Sequence, residues 1–363
     1  MLDAHLYLGI YLCAITILTI PMVLKYAELG NPYCRQLDVV KSRNTSLIVT
    51  SILIIIFLGF RPKSGVFVDM SNYEDLYYFY QLHNIGPNLS VDNLIFDNGF
   101  RLLAINYIDI RFFFVIVACI YIGCMAFALK RIFPRDAFYA FIIYLAAFST
   151  YTFGTNGIKA GAAASIFLLS LSYYPDRKFT CLILALLSFG FHHSMQLPVA
   201  ALLICMFYKN TNFYIALWFL CLFISMAHIT YFQSLFGSMT DEHGAGYLMG
   251  SSEGVMRKSG FRYDFVIYSF IPIAIGWWAR KKNPNMSTSY TFFYNIYLFV
   301  NAIWLLCIYA PFTNRIAYLS WQLLPLISIF PFFNMNLHSS GQYRILNRVV
   351  IVYLLFTLLY NVI

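Results

Sequence analysis

The chain has 363 residues, of which 61% are hydrophobic, 19% aromatic and only 11% charged. Soluble domains carry about 25% charged residues, so the composition excludes an ordinary globular protein and predicts an all-α, polytopic integral membrane protein. The net charge of +9 does not call for nucleic acid, because the basic residues sit mostly in short loops between apolar runs, the pattern that reports membrane topology.

Taken in order, about twelve apolar segments are expected as transmembrane helices: 6–24, 47–60, 112–129, 137–153, 158–174, 179–191, 195–208, 213–232, 263–279, 290–310, 316–333 and 345–362. A full span needs roughly 20 residues, so the short runs at 47–60, 179–191 and 195–208 read as spanning, re-entrant or buried. The first run has no basic leader and no small-x-small cleavage site, and is expected to be a retained helix. A single span over 179–208 would turn Arg280, Lys281 and Lys282 outward, so two helices are expected there. The whole chain, 1–363, reads as one transmembrane domain with two long outer-face loops, 61–111 and 233–262. Seven of the eight cysteines lie in apolar runs, all but Cys34, and no C-x-x-C pair occurs, which indicates neither a disulfide framework nor a zinc site.

With the N-terminus outside, every short loop obeys the positive-inside rule. Nine of the 24 Lys and Arg residues then fall on the outer side: Arg61, Lys63, Arg101, Arg111, Lys159, Arg257, Lys258, Arg262 and Arg315. Five of these, Arg61, Arg111, Lys159, Arg262 and Arg315, stand within a turn of a helix end, and His192 and His193 close the sixth segment on the same side. Each alone is explained by snorkelling or by pairing with an outward carboxylate. Five together read as an anion-binding floor, since a cation in an apolar helix marks a functional site by default.

In the first loop, Tyr73, Leu76, Tyr77 and Tyr80 recur at helical spacing. They predict an aromatic amphipathic helix on the membrane surface, either a stacking platform for sugar rings or an interfacial anchor. Asp97-Asn98-Gly99-Phe100-Arg101 reads as a turn. The second loop carries Asp241, Glu242, His243 and Glu253, at a length typical of lids and binding loops. Its Gly244–Gly250 run has the wrong spacing for a phosphate loop and reads as a hinge. Adjacent histidines project about 100° apart on a helix, so His192 and His193 cannot share a metal. Either one is a candidate general base, and no metal or cofactor is expected.

Four stretches resemble the EpsG/Wzy-type family of bacterial exopolysaccharide, capsule and O-antigen polymerases. They are Arg61 with Asp69 and Tyr73, Asn156-Gly157-Ile158-Lys159-Ala160-Gly161-Ala162-Ala163, Phe191-His192-His193-Ser194, and Asn314-Arg315-Ile316-Ala317-Tyr318. The chain departs from the family in having Lys159 where Arg is usual, and Lys lacks the bidentate phosphate fork. The resemblance implies a GT-C-like membrane glycosyltransferase of the bacterial inner membrane with its active site on the periplasmic face. Its substrate would be a glycan on a polyprenyl diphosphate, transferred to a sugar hydroxyl of the next lipid-linked repeat unit. Membrane lipid and a chain-length regulator are the further partners it leaves room for. In that reading Arg61, Lys159, Arg262 and Arg315 cradle the diphosphate, Tyr73, Tyr77 and Tyr80 hold sugar, and the base is one of His192, His193, Asp69 and Asp97, without a metal. A membrane-bound O-acyltransferase would need an inside acyl-CoA entrance near the histidines, which the topology puts outside. A flippase or other transporter would favour mid-membrane charges and repeated halves.

Overall fold

The computed structural model describes residues 3–28, 37–229, 231–232, 260–310, 313–334 and 342–362. Every regular element among them is a helix. We label the first eleven α-helices α1 (Tyr7–Glu28), α2 (Leu37–Gly59), α3 (Val68–Leu82), α4 (Leu94–Ile105), α5 (Ile110–Ile132), α6 (Ala137–Ala146), α7 (Phe148–Thr155), α8 (Ile158–Tyr173), α9 (Lys178–Phe191), α10 (Gln196–Phe207) and α11 (Thr211–Met226). Helices Tyr263–Lys282, Thr288–Leu306, Thr313–Trp321, Leu324–Asn334 and Gln342–Val362 follow. Each apolar segment of the sequence is helical, two of them in two pieces. Among the described residues, four stretches are long and apolar enough to cross a membrane: Ala4–Leu24, Ile110–Ile132, Thr313–Phe333 and Arg344–Asn361. The α6–α7 pair, bent by 77°, makes a fifth if it counts as one span, and Asn44–Gly59, Ile158–Tyr173, Lys178–Phe191, His193–Phe207 and Thr211–Met226 are shorter apolar helices.

The chain divides into two compact units, Met1–His192 with Phe332–Ile363, and His193–Pro331. In the first, α5 is the central post, packed on α2 and α8, while α8 packs on α9 and α1 packs on the C-terminal helix and α6. Small residues make the α8 contacts close: Gly161, Ala162, Ala163 and Ala164 are all buried, and Ser188 Oγ of α9 donates to Ala163 O at 2.7 Å. Side chains this small let helix backbones approach where lipid supplies no hydrophobic drive.

The bend between α6 and α7 falls at Ala147, whose backbone is extended (φ −71°, ψ 139°). A broken helix leaves carbonyls without partners, and none can stay unpaired in an apolar interior. Here distant side chains supply the donors. Tyr11 Oη donates to Leu145 O (2.6 Å) and Thr357 Oγ1 to Ala146 O (2.7 Å).

The segment read as a turn, Asp97–Arg101, lies inside α4. Phe96, Phe100 and Ala104 repeat every four residues and are buried. Phe96 and Phe100 meet Phe113 at 5.1 and 4.7 Å, and Phe96 meets Phe191 at 5.8 Å. Burying two aromatic rings outweighs the roughly 1 kcal/mol that Gly99 costs a helix. The tyrosine face of α3 is turned toward α4. Tyr73, Tyr77 and Tyr80 all lean on Phe100, at 5.8, 5.0 and 6.1 Å.

The second unit is built on a buried hydrogen-bond cluster. Asn301 accepts from Trp218 Nε1 (2.7 Å) and donates to Ser269 Oγ (3.2 Å) and Ser320 Oγ (3.0 Å), while Trp321 Nε1 donates to Ser269 Oγ (2.7 Å). Every one of these polar groups is spent on another, which is what makes such a cluster tolerable in a core.

Candidate functional site

Helix ends of the first unit converge around Lys159. This lysine stands in the first turn of α8, at the positive end of the helix dipole. A cation there calls for an anion. Asp97 provides it, with Lys159 Nζ 3.4 Å from Asp97 Oδ1 and about a quarter of each side chain exposed (26% and 24%). The ammonium also lies 5.4 Å from the centre of the Phe96 ring.

The network continues from Asp97. Its Oδ2 accepts from Asn93 Nδ2 at 3.1 Å, and Asn93 Oδ1 lies 2.9 Å from His192 Nδ1. Asn93 is 4% exposed and His192 7%. The local fold explains the arrangement. Asn93 precedes α4 and its carbonyl accepts the Asp97 N–H (2.9 Å), so residues 93 and 97 share one face. α9 stops at His192 because the backbone there turns extended (φ −149°, ψ 124°). At Gly190 a Cβ would come within 2.9 Å of Ile95 Cδ1, so the bare backbone lets α4 approach α9. Lys159, Asp97 and His192 are thus brought together, and Asn93, which the sequence reading missed, joins them. Its signal was its place four residues before Asp97, at the head of a helix read as a turn.

Arg61 is turned inward. It is 5% exposed, and its guanidinium donates to Leu58 O (2.7 Å) and Thr155 O (3.2 Å), 4.7 Å from the Phe114 ring centre and 5.7 Å from that of Phe67. Burial pushes its pKa down to about 10, against the opposing pull of Tyr151, Tyr73, Tyr7 and Asp69, so it stays charged at neutral pH. Both terminal nitrogens are spent on carbonyls that end α2 and α7, directly before the Asn156-Gly157-Ile158-Lys159 stretch. Asp69, in the first turn of α3, adds its negative field at the same place. Tyr77 is also committed to packing, buried and donating to Ile108 O at 2.6 Å, whereas Tyr73 and Tyr80 are half-buried. Lys63 pairs with Glu74, whose hydrogen bond raises the lysine above its ordinary range. Arg101 covers the Tyr80 ring at 4.9 Å.

The remaining predicted residues belong to the second unit. Arg262 forks onto Asp264 (Nε–Oδ1 2.9 Å, Nη2–Oδ2 2.6 Å) and lies 3.6 Å from the Phe265 ring centre. His193 is half-buried with Nε2 3.3 Å from Gln196 Nε2, and Arg315 is exposed on Thr313–Trp321. Of the second loop, Asp241, Glu242, His243, Gly244–Gly250, Glu253, Arg257 and Lys258 lie outside the described residues.

Chemically, the first unit offers a helix N-terminus with a cation, a carboxylate that holds it, and an imidazole oriented through an amide. The profile of the EpsG family matches residues 44–363. No curated protein and no solved structure matches the chain.

Proposed function

Because the chain belongs to the EpsG family, we propose that it is a membrane glycan polymerase that transfers a growing chain from a polyprenyl diphosphate to a sugar hydroxyl of the next lipid-linked repeat unit. The observation that carries this reading is the run of side chains from Lys159 through Asp97 and Asn93 to His192. In the transfer, the acceptor oxygen bonds to the anomeric carbon, the bond from that carbon to the diphosphate oxygen breaks, and the acceptor proton moves to a base. Negative charge gathers on the departing diphosphate. Lys159 and the first-turn N–H groups of α8 are the fixed positive groups that stabilise it. His192 is the base, its orientation set within the network.

Arg61 acts at one remove, holding the Thr155 carbonyl and with it the backbone that presents Lys159. Arg315, exposed on its helix, is assigned to the diphosphate through the Asn314–Tyr318 resemblance, and Arg262 through its place at the head of Tyr263–Lys282. Tyr73 and Tyr80 keep exposed edges for a sugar ring. The same reading takes the twelve apolar segments as a GT-C-like arrangement of spanning and re-entrant helices in a bacterial inner membrane. The N-terminus and the site then face outward, where polyprenyl-linked glycan is presented and a chain-length regulator has access.

Lys159→Ala, His192→Ala and Arg315→Ala, expressed in the producing cell, test this. Each is expected to insert normally and to leave single-repeat glycans in place of long polymer. Normal long-chain polymer from all three sinks the proposal.

A further inference from the structure

The amide of Asn93 stands between two groups of opposite demand. Asp97 has Lys159 Nζ 3.4 Å from Oδ1, and carboxylate oxygens only accept hydrogen bonds. Asn93 must therefore present its NH2 group to Asp97 Oδ2, at 3.1 Å. A flipped amide would set two acceptors against each other. With NH2 committed, the carbonyl Oδ1 is the atom left to face His192 Nδ1 at 2.9 Å, and that nitrogen must carry a hydrogen to bond with it.

We infer that Asn93 is a positioning residue whose carbonyl holds His192 Nδ1–H and so fixes the ring as its Nδ1–H tautomer, the form in which Nε2 is the basic nitrogen. The orientation is transmitted from Lys159, so one cation sets both the charge of the anion site and the tautomer of the base. The ion pair orders Asp97, Asp97 orders the Asn93 amide, and the amide orders the imidazole. The hydrogen bond made by one ring nitrogen commonly selects the histidine tautomer in this way. Asn93 itself touches no reacting atom. The inference rests on the reading of His192 as the base.

Its test separates the two. The full chain, labelled with 15N-histidine and held in lipid nanodiscs, is measured by nitrogen NMR, with His192 identified by subtracting the His192→Gln spectrum. The wild type is expected to show a protonated Nδ1 and an unprotonated Nε2. Asn93→Ala is expected to lose this preference and to slow polymer formation on the order of 100-fold. Asn93→Asp keeps an acceptor for His192 and is expected to retain the tautomer while losing the bond to Asp97. Asp97→Asn, which frees the amide to flip, is expected to mix the two tautomers. A wild-type Nε2–H ring overturns the inference, as does an Asn93→Ala protein with an unchanged tautomer, whatever its activity. Polymer made at the normal rate by His192→Ala overturns the underlying reading instead.

Discussion

Lys159 Nζ lies 3.4 Å from Asp97 Oδ1, across 62 positions of the chain. A cation suited to a diphosphate and a carboxylate suited to proton chemistry are therefore partners before any substrate arrives. Under the proposed function, Asp97 masks the cation and an incoming diphosphate competes with it. Asp97→Asn is expected to tighten binding of the lipid diphosphate while lowering turnover, seen as KM and kcat falling together. Lys159→Arg is expected to keep polymer formation, because a guanidinium can hold both Asp97 and a phosphate.

Arg61 predicts a different outcome from Lys159. Removing its guanidinium leaves Leu58 O and Thr155 O without their donor in a buried place, where hydrogen bonds to charged groups are worth about 1.5–3 kcal/mol each. Arg61→Ala is expected to lower the thermal midpoint of the purified protein by several degrees, and Arg61→Lys to recover part of that loss. Lys159→Ala, at a partly exposed site, is expected to move the midpoint little.

Two glycines make opposite predictions. A Cβ at Gly161 would lie 2.6 Å from Phe153 O and 2.9 Å from Phe153 Cβ, where backbone cannot yield. Gly161→Ala is expected to separate α7 from α8 and cost polymer formation along with stability. Gly99 sits in α4 in open space, with nothing within 4 Å of where a Cβ would stand, so Gly99→Ala is expected to stabilise the helix by about 0.5–1 kcal/mol. Paired thermal melts of the two variants check both signs.

The bend at Ala147 depends on donors from far away. Tyr11→Phe keeps the ring and removes only the hydroxyl that Leu145 O accepts from, and is expected to cost about 1–3 kcal/mol. An unchanged melting midpoint in Tyr11→Phe would show that another donor reaches this carbonyl.

Much of the architecture was legible in the residues alone. Apolar length is a local property, and each run that is apolar over enough positions became a helix, from α1 to Gln342–Val362. The break between α9 and α10 was legible too, because a single span would have reversed the charge bias of Arg280–Lys282. A helical hairpin returns its chain to the side it left, and the structure joins Lys159 to His192 through Asp97 and Asn93.

What only the tertiary structure decided depends on groups far apart in sequence. α4 formed through Asp97–Arg101, against the local turn signal, because Phe113 and Phe191 offer Phe96 and Phe100 a place to bury. The α6–α7 bend has no proline or glycine at Ala147 to announce it, and stands on hydroxyls from Tyr11 and Thr357. Arg61 looked like a floor cation and became a clasp because two carbonyls, one of them 94 positions away, claim its nitrogens. Asn93 and His192, 99 positions apart, meet only when α4 is laid against α9. Local composition determines which segments are helical and where their charges end; which of those charges face each other is set by how the helices pack.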